Sequence, residues 1–211
     1  RWMILKKLAN LLAKATGTKV TVNGLENIPP GKQPYVVVSN HASYLDAYAL
    51  VAALPARFSF IGKKELSETF LVRKPLENIH TEFVERFDIS KSVKDSEHLS
   101  EVLQAGRPLM FFAEGTFTRT PGLLPFHLGA FKVAVESGVP VIPVAIRGTR
   151  SMLRAKNWFP RRGVIDIVVG EPIDPVEIQQ VTGNDEWKTL IILRDRCRAF
   201  ILENINEPDL G

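Results

Sequence analysis

Tyr35-Val36-Val37-Val38-Ser39-Asn40-His41-Ala42-Ser43-Tyr44-Leu45-Asp46 runs from an uninterrupted apolar stretch into a polar turn and then into a helix start. Residues 35–39 read as a strand buried on both faces, because a short apolar run without alternation fits no half-exposed strand. Ser43-Tyr44-Leu45-Asp46 has the form of a capping box, which opens a helix over 44–54 that Pro55 stops. A strand feeding a helix through a short polar turn is the repeating unit of α/β folds, and sites in such folds gather where strands end.

Outward from that unit the alternation continues. Strands are expected at 18–22, 57–61, 81–85, 108–113, 139–146 and 164–169. Helices are expected at 2–15, 63–71, 92–105, 129–137 and 185–204, the third of these closed by Gly106. Pro29-Pro30-Gly31 forces a turn, and residues 114–128 form a polar loop carrying Gly and Pro. The pattern predicts one α/β domain with a mixed, largely parallel central sheet flanked by helices on both faces. We divide the chain into an amphipathic helix at 1–16 and a domain at 17–211.

The 211 residues suffice for one such core, and no linker or low-complexity run divides them. With 45% apolar and 24% charged residues the chain reads as globular rather than disordered. No apolar stretch approaches bilayer-spanning length. The net charge of +4 mildly favours anionic partners, such as phosphorylated molecules or anionic lipid surfaces. Nucleic acid is not expected, because basic runs interleaved with aromatics are missing. Arg1 in place of Met suggests part of a longer or trimmed chain. Cys197 is the sole cysteine, and its helical surroundings favour a packing role over a reactive thiol.

His41 and Asp46 stand five residues apart. On one continuous helix they would lie about 140° apart and could not meet. They meet only if His41 lies in the loop and Asp46 in the first helical turn. Asp46 would then either cap the helix or hold one imidazole nitrogen protonated, leaving the other free as a general base. A second polar turn, Glu114-Gly115-Thr116, follows the apolar run at 108–113. Glu114 could accept from substrate hydroxyls, Gly115 permits close backbone approach, and Thr116 could donate to an oxyanion or phosphate. Lys63, Arg86 and Arg119 supply cations for an anionic head group. The four histidines lack zinc-type spacing, so no metal is expected. Neither a nucleophile elbow nor a glycine-rich nucleotide motif occurs.

These residues resemble the glycerolipid acyltransferase family over roughly residues 20 to 175. Its His-x4-Asp motif is matched by His41 and Asp46. Its Glu-Gly-Thr-Arg motif is matched in part by Glu114-Gly115-Thr116, with Phe117 in the arginine place and Arg119 the nearest cation. Its Val-Pro-Ile/Val-Pro-Val strand is matched by Val139-Pro140-Val141-Ile142-Pro143-Val144. Lys63, Leu66 and Arg86 fall in register with the second motif, where Arg73 replaces a glycine. His127 stands where many relatives carry Lys.

The resemblance implies acyl transfer from acyl-CoA or acyl carrier protein to a lysophospholipid hydroxyl, 1-acylglycerol-3-phosphate first. No cofactor beyond the thioester co-substrate is implied. Another lyso-lipid acceptor, or a non-catalytic lipid- or thioester-binding module, are the alternatives that the altered phosphate positions raise. Peripheral contact with the cytoplasmic face of a membrane is expected through residues 2–15, whose Trp2 and lysines suit an interfacial helix.

Overall fold

The computed structural model describes residues 2–31, 33–55, 58–63, 81–84, 93–153 and 161–211. The helices are α1 (Trp2–Ala15), α2 (Asp46–Ala53), α3 (Val93–Gln104), α4 (Gly129–Ser137), α5 (Thr149–Met152), α6 (Pro175–Thr182) and α7 (Glu186–Ile205). The strands are β1 (Lys19–Asn23), β2 (Val36–Ser39), β3 (Ser59–Lys63), β4 (Thr81–Val84), β5 (Leu109–Phe112), β6 (Val141–Arg147) and β7 (Val164–Val169). They form one sheet in the order β1-β7-β6-β2-β5-β3-β4. Every pairing is parallel except β6 with β7. The expected mixed, largely parallel α/β sheet is therefore the observed one.

Period-2 alternation sorts the central strands into two cores. Val36, Val38, Leu109 and Phe111 point to one face, where α3, α4, α6 and α7 cover them. Val37, Met110, Phe112, Ile142, Val144 and Ile146 point to the other, shared with Trp2 of α1 and Leu50 of α2. Burial on both sides is why β2 and β5 read as unbroken apolar runs.

Three features differ from the sequence expectations. α5 was not expected, and four residues offer too little periodicity to see. α6 was not expected either, although Asp174 accepts from the Val176 amide at 2.8 Å, Pro175 stands in the first turn and Gly183 ends it. Trp2 does not face outward: it is buried edge-on against Phe58, ring centres 5.3 Å apart. Lys6 also turns inward, its Nζ donating to the Leu54 carbonyl at the end of α2 at 2.9 Å. The remaining face of α1 exposes Met3, Ile4, Leu8, Leu11 and Leu12. Among the described residues, no helix is long and apolar enough to cross a membrane. The helix expected over 63–71 lies outside the described residues beyond Lys63, which ends β3. Cys197 is buried on α7 and burial pushes its thiol up, as a packing residue requires.

Candidate active site

Register decides which turns meet. β2 and β5 are neighbours, and Ser39 pairs with Phe112 at their carboxyl ends. His41 and Glu114 each stand two residues beyond that pair, so the two polar turns leave the sheet side by side. The His41 amide donates to Glu114 Oε1 at 2.6 Å. Glu114 Oε2 accepts from the Leu124 amide at 2.9 Å. Glu114 is 3% exposed. Burial pushes its carboxyl up to about 7, against the pull of those two amides. Both oxygens thus serve the chain's own backbone, joining the turn after β2 to the loop after β5.

On the other side of His41, Nδ1 lies 2.8 Å from Asp46 Oδ2. The same oxygen accepts from the Ala42 amide at 2.7 Å and the Ser43 amide at 2.8 Å. A carboxylate only accepts, so Nδ1 carries the hydrogen, and in the neutral imidazole it is Nε2 that holds the lone pair. The expected capping box at Ser43 does not form, since α2 starts at Asp46 with Leu45 at its N-cap and no side-chain cap; Asp46 does reach back to the backbone, and one oxygen gathers the loop amides before the helix and orients the imidazole. Asp46 is wholly buried, whereas the His41 side chain is 19% exposed. Ser43 Oγ is committed elsewhere, donating to the Leu153 carbonyl at 2.7 Å.

Aromatic rings flank the imidazole. Phe112 stacks on its face, with centres 4.1 Å apart and planes 14° apart. Phe117 meets it at 4.4 Å and 60°, and the exposed Tyr44 meets Phe117 edge-on at 4.8 Å. Asn40 anchors the strand end just before His41. Its amide donates to the Ile146 carbonyl at 3.0 Å and accepts from the Ile146 amide at 2.8 Å. Neither the rings nor Asn40 had a role in the sequence reading, because each partner is remote in the chain or reached only through the fold.

The other site candidates fall as follows. Gly115 has φ 64°, the left-handed region where a side chain would be strained, and its amide donates to the Phe112 carbonyl at 2.9 Å. Thr116 and Arg119 are exposed on the loop after β5. The side chain of Lys63, and Arg86 altogether, lie outside the described residues. The amides of His41, Ala42, Ser43 and Gly115 are all engaged within the protein. That leaves the amide of Thr116, the residue read from the sequence as an oxyanion donor.

An imidazole with one free nitrogen, held by a buried carboxylate at the carboxyl ends of adjacent parallel strands, suits removal of a proton from a hydroxyl. A profile of the acyltransferase family matches residues 19–147. The chain belongs to the acyltransferase family.

Among its relatives, a 1-acyl-sn-glycerol-3-phosphate acyltransferase of Chlamydomonas reinhardtii is 34% identical over 158 residues, 74% of this chain and 47% of that one. The corresponding alpha enzyme of Homo sapiens is 30% identical over 192 residues, 90% of this chain and 65% of that one. The chain spans less than half the length of the algal and plant relatives. The crystal structure of the 1-acyl-sn-glycerophosphate acyltransferase PlsC from Thermotoga maritima superposes with a TM-score of 0.72 and 25% identity. That match covers 94% of this chain and 79% of that one.

Proposed function

We propose that this acyltransferase moves a fatty acyl group from a thioester, acyl-CoA or acyl carrier protein, to the hydroxyl of a lysophospholipid, 1-acylglycerol-3-phosphate first among them. The observation that carries the reading is the His41–Asp46 contact, which engages Nδ1 and leaves Nε2 of a partly exposed side chain to act as the base. Relatives bearing that activity in their names support the choice of acyl acceptor.

The acyl acceptor's hydroxyl oxygen attacks the thioester carbonyl while His41 Nε2 takes its proton. Asp46 stabilises the imidazolium that forms. The Thr116 amide stabilises the tetrahedral oxyanion. Collapse breaks the carbon–sulfur bond, and the departing thiolate recovers the proton from His41. Arg119, with Lys63 and Arg86, attracts the anionic head group. Phe117 beside His41 favours a second reading, in which a lyso-lipid without a phosphate monoester is preferred.

Mass spectrometry of products from a mixed lysolipid pool and one acyl-CoA separates the two. The first reading predicts phosphatidic acid as the dominant product, and the second a different diacyl lipid. The absence of any acylated product would contradict both.

We propose that the chain meets these substrates at the cytoplasmic face of a membrane through the exposed Met3, Ile4, Leu8, Leu11 and Leu12 of α1, beside Lys7 and Lys14. Flotation with anionic liposomes should weaken when Leu8 and Leu11 become Ser; unchanged flotation would remove that role.

A further inference from the structure

Arg150 and Glu207 form a largely buried ion pair, their side chains 10% and 19% exposed, far from both polar turns in sequence. Arg150, in α5, is 8% exposed. Its Nε and Nη2 donate to Glu207 Oε1 and Oε2 at 2.8 and 2.9 Å, a bidentate contact. The pair reaches further. Arg150 Nη1 donates to the Thr118 carbonyl, and Glu207 Oε2 accepts from the Gly122 amide at 2.7 Å. One guanidinium and one carboxylate thus grip both ends of the segment 118–122, with Arg119 exposed inside it.

The fold delivers both halves of the clamp. Gly148, at φ 98°, turns the chain from β6 into α5; a Cβ there would fall 2.0 Å from the Val164 carbonyl oxygen. Asn206, at φ 55°, ends α7 and sends residues 207–211 back along the loop. There the Leu123 amide donates to the Pro208 carbonyl at 2.9 Å, and Leu210 returns a bond to Leu123 at 3.0 Å. Burying two charges is costly unless the remaining donors and acceptors are satisfied. Here the surplus donor and acceptor capacity is directed to one loop. That loop begins at Glu114, and its Phe117 ring lies against His41.

We infer that Arg150 and Glu207 are positioning residues, holding residues 116–122 so that Phe117 closes one flank of His41 and Arg119 stands at the rim. This rests on the acyl-transfer reading for its kinetic consequence but not for its structural one. Arg150→Lys keeps the charge and loses the fork; Glu207→Gln keeps the shape and loses the charge.

The test compares both variants with wild type by the ring-proton resonances of His41, which Phe112 and Phe117 shift, and by steady-state acyl transfer from acyl-CoA to lysolipid. Phe117→Leu provides the reference for a lost ring. In the variant that stays folded by circular dichroism, the His41 resonances should move towards those of Phe117→Leu. The kcat should fall about tenfold to a hundredfold, since a 1 Å misplacement can cost about a hundredfold, with the KM for acyl-CoA unchanged. His41 resonances identical to wild type in a folded variant would overturn the inference. An inert wild type would count against the acyl-transfer reading alone, because the resonances still decide the clamp.

Discussion

Glu114, read from the sequence as a substrate contact, is also a brace within the chain. Its place at a strand end suggested contact with a substrate hydroxyl, yet its two oxygens accept from the His41 and Leu124 amides. Its carboxyl is raised from 4.5 to about 7 by burial, so the folded protein holds that proton more tightly than the unfolded chain does. The contribution to stability is therefore fully present below about pH 4.5 and is lost as pH rises through about 7. It amounts to roughly 3 kcal/mol at 1.36 kcal/mol per unit. Glu114→Gln does not titrate, so the stability of wild type relative to the variant should fall by about that much between pH 4.5 and 8. Urea unfolding at each pH measures it, and a constant difference would contradict the assignment. The residue-scale lesson is about reach. The spacing of His41 and Asp46 was legible because the pair is local; the use of one Asp46 oxygen for three donors was not. The Arg150–Glu207 clamp was invisible, since 57 residues separate its members.

At the scale of elements, the strands read well where burial on both faces left no alternation, as in β2 and β5. Their adjacency did not follow from the pattern, because pairing order depends on how the whole sheet is wound. The span of β7 was read as 164–169, but its direction against β6 was not legible, for its residues alternate in the same way in either direction. α6 was legible in principle from Asp174, Pro175 and Gly183, and the missing strength was in its short apolar face. Asn40 shows what adjacency requires. Its side chain replaces strand pairing beyond Ser39, tying the end of β2 to Ile146 of β6. Asn40→Ala leaves the Ile146 amide and carbonyl without those partners in a buried setting, where an unmade bond costs about 1–3 kcal/mol. We expect a loss of about 2 kcal/mol in chemical denaturation and a parallel loss of activity, as His41 follows directly. A variant as stable as wild type would show that the tie is dispensable.

For the whole molecule, the sheet sets two loops side by side, the C-terminal segment braces one of them, and helix α2 contributes the carboxylate that orients the His41 imidazole. The two cores fix β2 and β5, and α7 packs on β6, the strand that leads to Arg150. The outward face of α1 gives the molecule an apolar, lysine-bordered side suited to a lipid surface. The central claim is that His41 Nε2 takes the proton during acyl transfer. Initial rates of acyl-CoA consumption with lysophosphatidic acid, for wild type and His41→Ala at matched folded concentration, test it most directly. Loss of the base should lower the rate by about a hundred- to ten-thousandfold with unfolding essentially unchanged; a folded His41→Ala protein that turns over near the wild-type rate would contradict the account.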